Sequence, residues 1–112
     1  SMFPSREELE YLGGFFDGDG CVTMVRSSGK IFLSVSQAVQ RPNILLRFRE
    51  AFGGGIYREH PATGFSQATL QWHVAGKNAR LAALALCGTT LMKHAQLWHL
   101  LDGNIEATHR KR

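Results

Sequence analysis

Leu12-Gly13-Gly14-Phe15-Phe16-Asp17-Gly18-Asp19-Gly20 is the stretch on which the reading of this chain turns. Upstream of it, Ser5 followed by Glu8 forms a capping box, in which side chains take up unpaired amides of the first helical turn. Leu9, Leu12 and Phe16 then fall on one helical face, with Tyr11 and Phe15 beside it. The spacing predicts a helix over 5–17. Asp17-Gly18-Asp19-Gly20 is expected to end it, since Gly and Asp tolerate the left-handed geometry of a C-terminal cap. Gly13, Gly14 and Gly18 remove side chains from one side of the helix, so that a second backbone can come close. Two copies of such a helix, packed together, bring two Asp-Gly-Asp ends side by side. Carboxylates and backbone carbonyls gathered in this way make a hard oxygen site suited to magnesium. Paired metals activate a water and stabilise a leaving oxygen in phosphodiester hydrolysis. A plain helix cap and turn is the bland alternative for residues 17–20. An EF-hand is excluded, because no third oxygen ligand or bidentate Glu follows at the required spacing.

Downstream, residues 21–26 are β-prone and Ser27-Ser28-Gly29 is a turn, which predicts a hairpin. The second strand alternates: Ile31, Leu33 and Val35 point one way, while Lys30, Phe32, Ser34 and Ser36 point the other. Pro42 suits a first helical position. Ile44, Leu45, Phe48 and Phe52 give the next helix its apolar stripe, with Arg47 and Arg49 outside, and Gly53-Gly54-Gly55 stops it. A third strand is expected over 56–60 and a turn over 61–64. In a fourth strand, Leu70, Trp72 and Val74 alternate with Thr69, Gln71 and His73. Gly76-Lys77-Asn78 opens a helix through Leu81, Leu84 and Leu86. Gly88-Thr89-Thr90 breaks it, and a last helix carries Leu91, Leu97, Leu100 and Leu101. Residues 103–112 show no periodicity and are expected to form a flexible tail. The order α-β-β-α-β-β-α-α puts the chain in the α+β class, with one antiparallel four-stranded sheet and helices packed on one face. The other face of such a sheet stays open. There it would carry Lys30, Ser34, Ser36, Gln71 and His73. A ribbon with such side chains fits a DNA major groove, although an ordinary solvated face would look the same.

The 112 residues are enough for one domain, 1–112, with a core that needs no disulfide. A hydrophobic fraction of 44% and a charged fraction of 20% argue against disorder. Ser1 ahead of Met2 reads as a cloning remnant. No apolar run approaches the roughly 18 residues of a membrane span, and no secretory signal is visible, so the chain is expected to be intracellular. Cys21 and Cys87 stand alone and read as small buried residues in a reducing compartment. The net charge of +4 is unevenly spread. Residues 1–20 hold one base against five acids, and residues 21–80 hold eight bases against two acids. A basic middle beside an acidic start fits a polyanion-binding surface next to a metal site. His94 and His99 are not at the i,i+4 spacing of a zinc-binding helix.

Residues 12–20 resemble the signature of the LAGLIDADG homing endonucleases. Leu12, Gly14, Asp17, Asp19 and Gly20 match its letters, Gly13 and Gly18 stand for Ala, and Phe15 and Phe16 are hydrophobic substitutes. The expected elements also resemble that family's αββαββα half-domain, so the likeness covers residues 5–101. It implies a site-specific double-strand DNA endonuclease, of the kind borne by introns, with Mg2+ as cofactor and Ca2+ or Mn2+ as substitutes. It implies that Asp19 and the Gly18 carbonyl hold the metal and that Asp17 is a structural acid at the helix end. Gln37 and Arg41 fall on a Gln-x-x-x-Arg pair that organises water around the metals and the scissile phosphate. Lys93-His94-Ala95-Gln96 resembles a Lys-x-x-Gln whose lysine sits near the attacking water. The implied catalytic set is thus Asp19, Gln37, Arg41 and Lys93. Lys30, Ser34, Ser36, Arg58, His60, Thr69, Gln71 and His73 are the expected DNA contacts.

One motif copy, where two facing acids are needed, implies a homodimer on a palindromic or near-palindromic site. Leu9, Leu12, Gly13, Phe16 and Asp17 are expected at its interface. The partners implied are double-stranded DNA and a second copy, with no membrane and no small-molecule cofactor. Some assignments stay open. Gln40 rivals Gln37 if the strand end carries a bulge, Arg41 fits a simple phosphate clamp, and Lys93 fits a surface lysine. A non-cleaving nucleic-acid binder of the same fold, such as an intron maturase or a transcription regulator, is the rival function. A structural dimer without nucleic acid is a third. Asp19, Gln37, Arg41 and Lys93 together argue for cutting, and the basic middle argues against the third. Little follows the last helix, where relatives often add DNA contacts, which bears on affinity rather than chemistry.

Overall fold

The structure, a computed structural model, describes residues 3–59 and 68–110, with side chains described as far as Asp102. His60 and the turn expected over 61–64 lie outside the described residues. The chain forms α1 (Arg6–Asp19), β1 (Gly20–Val25), β2 (Lys30–Ala38), α2 (Asn43–Phe52), β3 (Gly55–Glu59), β4 (Thr69–Ala75), α3 (Gly76–Cys87) and α4 (His94–Arg110). The four strands make one sheet in the order β1-β2-β4-β3, with every neighbouring pair antiparallel. The helices supply the other half of the core, as the α+β reading requires. Among the described residues no helix is long and apolar enough to cross a membrane.

Ser5 Oγ accepts the Glu8 amide at 3.1 Å and so caps α1. Glu8 does not complete the box. Its carboxylate pairs with Arg47 of α2, whose guanidinium also lies 4.8 Å over the Tyr11 ring. The helix runs through Asp19 rather than stopping at Asp17. The left-handed cap expected there does not form, because Gly20 is extended, with φ −80°. Glycine is required at 20 for a different reason: a Cβ would collide with the Phe16 ring.

Ile31, Leu33 and Val35 of β2 and Trp72 and Val74 of β4 are buried under the helices, as their alternation predicts. The Phe48 and Trp72 rings stack at 4.9 Å, and Trp72 Nε1 donates to the Gly53 carbonyl at 2.8 Å. Removing Phe48 from this cluster, as in Phe48→Ala, would cost about 3–5 kcal/mol. Gly53 and Gly54 turn the chain from α2 into β3 with φ of 79° and 88°. At Gly54 a Cβ would also strike the His73 carbonyl, so β3 lies close to β4 only because residue 54 is glycine.

Three core assignments need correction. The buried face of α3 is Ala79, Ala82, Ala83, Leu86 and Cys87, while Leu81 and Leu84 are 53% and 57% exposed. Small alanines let α3 approach the sheet and α1 closely, where a leucine face would hold it off. Leu91 precedes α4 and is 89% exposed. Cys21 is exposed rather than buried, because its place on β1 turns it to the uncovered side of the sheet. The backbone of α4 continues to Arg110, through residues that lack an apolar repeat.

Candidate functional site

The C-terminal end of a helix carries partial negative charge and favours cations. α1 has no basic residue in its last turn and ends on two acids, Asp17 and Asp19. These acids have different partners. Asp17 turns to the α3–α4 connection, where its carboxylate accepts the amides of Leu91 at 2.7 Å and Lys93 at 2.9 Å. Burial pushes the Asp17 carboxyl up, but the N–H groups of Leu91, Lys93 and Met92 and the Lys93 charge outweigh it. The net effect is a carboxyl held below the usual range. Lys93 Nζ donates to the Asp17 backbone carbonyl at 3.0 Å, which puts an ammonium on the end of α1. Asp19 is exposed, and its Oδ2 accepts Gln37 Nε2 at 3.1 Å.

Gln37 lies near the end of β2, opposite Leu70. It shares a hollow of about 310 Å³ with Phe15, Gln40 and Arg41. Of the four residues named together from sequence, Asp19, Gln37 and Lys93 meet at the end of α1, and Arg41 lines the hollow beside Gln37. Asp19 and Gln37 touch, and Lys93 joins through the backbone of Asp17. Of the two rival glutamines, Gln37 is the one hydrogen-bonded to Asp19.

The Asp19 carboxylate and the Gly18 carbonyl are hard oxygen donors of the type that magnesium and calcium take. Among the described residues, however, no group of three or more His, Cys, Asp or Glu comes together in one chain. The donor type fits a divalent ion, but the number does not, unless a second copy contributes.

Gly14 and Gly18, one helical turn apart, lie on the exposed side of α1, and a Cβ at either would meet nothing within 4 Å. Gly13 lies on the opposite side, where a Cβ would collide with Thr89. Leu12 and Phe16 are fully buried in the chain's own core. The expectation that Leu12, Gly13 and Phe16 line a contact between two copies of the helix is therefore corrected, since their surfaces are already used within the chain. Asp17 is likewise committed to Leu91 and Lys93, and Leu9 is only half-buried.

Cross-strand pairing defines the open sheet face. Ser34 stands between Cys21 and His73, Ser36 opposite Gln71, Gln71 opposite Tyr57, and Thr69 opposite Glu59. Phe32, His73 and Tyr57 run across three strands, with ring centroids 5.1 Å and 6.4 Å apart. Lys30, Ser34, Ser36, Thr69, Gln71 and His73 belong to this face as expected. Arg58 does not. It pairs with Leu70 and shares the parity of Ile56 and Trp72, so it leaves β3 on the helix side. The alternation of period two, counted from Gly55, puts Tyr57 and Glu59 on the open face instead. Sequence reasoning missed Glu59, which accepts Ser36 Oγ at 2.9 Å, Thr69 Oγ1 at 2.7 Å and Gln71 Nε2 at 3.2 Å.

No protein-family model matches the chain, and no curated protein matches its sequence. Solved structures do match. The homing endonuclease I-CvuI, in complex with its target and calcium, superposes with a TM-score of 0.70 and 21% identity over 94% of this chain and 70% of its own. The same enzyme on the I-CreI target with magnesium, where the DNA is not cleaved, gives 0.69 and 21% over 92% and 69%. The shared property at this identity is the fold.

Proposed function

We propose that the chain is one subunit of a LAGLIDADG-type homing endonuclease, a divalent-metal enzyme that cuts double-stranded DNA as a homodimer. The observation that carries this reading is the gathering at the end of α1: Asp19 bonded to Gln37, with Lys93 held on the Asp17 carbonyl. A pure binder has no need of such a set. The homing endonuclease fold of I-CvuI, found on DNA, supports the same reading.

Two copies would meet through the open Gly14 and Gly18 face of α1, which brings two Asp19 carboxylates together. Asp19 and the Gly18 carbonyl would hold a Mg2+, with Ca2+ or Mn2+ able to substitute. A bound divalent ion supplies Lewis acidity toward the scissile phosphate and lowers the pKa of water. The residues supply the rest. Gln37 orients Asp19 by donating to one of its oxygens. Lys93 uses one ammonium proton on the helix end and keeps two more donors for phosphate oxygens. Its charge stabilises the pentavalent phosphate as negative charge builds up. Arg41, an exposed residue lining the same hollow as Gln37, suits a two-pronged grip on a phosphate. The open sheet face would lie in the major groove and carry sequence recognition.

Selection of cleaved duplexes from a randomised library in magnesium tests the reading. A near-palindromic site is the expected product. Duplexes that are bound but never cut would move the assignment to a maturase or regulator. No retention of any duplex would remove nucleic acid from the account.

A further inference from the structure

The surface proposed to meet DNA carries an acid at its edge. Glu59 ends the edge strand β3, pairs with Thr69, and faces the same way as Ser36 and Gln71. Its Oε1 accepts Ser36 Oγ at 2.9 Å and Thr69 Oγ1 at 2.7 Å, and its Oε2 accepts Gln71 Nε2 at 3.2 Å. Donors from β2 and β4 thereby fix the carboxylate of a third strand. Three side chains that look like base readers in the sequence donate to Glu59 instead. A carboxylate facing a polyanion is repelled unless it meets a donor there. The major-groove edges differ in this respect. Guanine offers O6 and N7 and thymine O4, all acceptors that a carboxylate repels, and adenine sets its amino group beside the N7 acceptor. Cytosine alone presents an amino donor with no acceptor beside it on the same base. Oε2, with one donor on it, retains a lone pair for such a group.

We infer that Glu59 selects cytosine at one position in each half of the DNA site, with Ser36, Thr69 and Gln71 as residues that position its carboxylate. The inference rests on the DNA-binding reading. The same three bonds would also tie the edge strand to its neighbours, so the test reads base identity, which a purely structural tie would not move.

Full-length wild type and Glu59→Gln are each used to select duplexes from a randomised library in calcium, so that binding is read without cleavage. Wild type is expected to return cytosine at one symmetric pair of positions. Glu59→Gln is expected to return adenine at that pair, because a Gln amide matches adenine N6 and N7. A second measurement needs no variant to fold. Replacing the selected cytosine by 2-pyrimidinone, which lacks only the amino group, should weaken wild-type binding about 5- to 150-fold, the usual effect of one lost base contact. The same replacement at other cytosines should not. Identical base preferences in wild type and Glu59→Gln, or an unchanged affinity for the 2-pyrimidinone duplex, would overturn the role of Glu59 while leaving DNA recognition intact. Failure of wild type to select any duplex would overturn both.

Discussion

Replacing Gly14 by leucine is expected to separate the fold of the subunit from its assembly. A Cβ at Gly14 meets nothing within 4 Å and the residue is exposed, so the new side chain starts out toward solvent. Loss of a helix-interior glycine gains about 0.8–1.0 kcal/mol of helix propensity. Subunit stability should rise by up to that amount, or roughly 4–8 °C in melting temperature. A second helix laid on the Gly14 and Gly18 face would meet the leucine directly. Overpacking of a close contact costs about 1–3 kcal/mol at each site, and a symmetric pair incurs it twice. Gly13→Ala is the opposite control. Its Cβ collides with Thr89 within the subunit, so the fold itself should lose stability, by about 1–3 kcal/mol less the propensity gain. Sedimentation velocity and thermal melts over a range of protein concentrations read both effects. Gly14→Leu should sediment as a monomer and melt at a temperature independent of concentration. A Gly14→Leu protein that dimerises like wild type, or a Gly13→Ala protein as stable as wild type, would refute this division of the two helix faces.

Asp17→Ala should destabilise the subunit by about 1–2 kcal/mol at neutral pH, through loss of the bonds to the Leu91 and Lys93 amides. The Asp17 carboxyl is held low, so its contribution is complete above the ordinary value of about 3.9 and disappears as pH falls through the lower folded value. The stability gap between wild type and variant, followed by urea unfolding, should therefore close in acid, and a gap unchanged to about pH 2 would contradict the assignment. DNA affinity should fall with salt at a slope near −0.9 per phosphate neutralised, and each phosphate-contacting base removed, with Arg41→Ala the first to try, should reduce the slope by about 1. An unchanged slope would take Arg41 off the phosphates. Lys93→Met should slow cleavage by about 10²-fold, as loss of one charged donor to the transition state does, while DNA affinity in calcium stays near wild type; equal cutting rates would return Lys93 to the helix end as a structural tie.

The elements legible from sequence are those whose signal is local. The alternation of β2 and β4, the α2 stripe and the Gly53-Gly54-Gly55 stop all follow from side-chain period and backbone freedom, and each stands where expected. The resemblance to the LAGLIDADG endonucleases likewise named Asp19, Gln37 and Lys93 together. Other features depended on what lies across the fold. The core face of α3 is alanine, so counting leucines pointed to Leu81 and Leu84, which face outward. Leu12, Gly13 and Phe16 look available for a second helix until Thr89 and the subunit's own core are seen to occupy that side of α1. The i,i+4 pair Gly14 and Gly18 was the readable sign of the open side. Arg58 has the charge of a DNA contact, but its parity with Ile56 sets it on the helix side of β3. The role of Glu59 needs donors from two other strands, and no local pattern announces them.

In the proposed function, Asp19 holds a metal against a scissile phosphate. That role is tested most directly by incubating a plasmid carrying the selected site with wild type and with Asp19→Asn in magnesium. The amide keeps the shape of the carboxylate but loses its charge, which weakens the hold on a metal and its power over bound water. Wild type should linearise the plasmid, and Asp19→Asn should bind it at least as tightly, because two acids no longer repel the DNA backbone, yet leave it uncut. Equal cutting by both proteins would contradict the account.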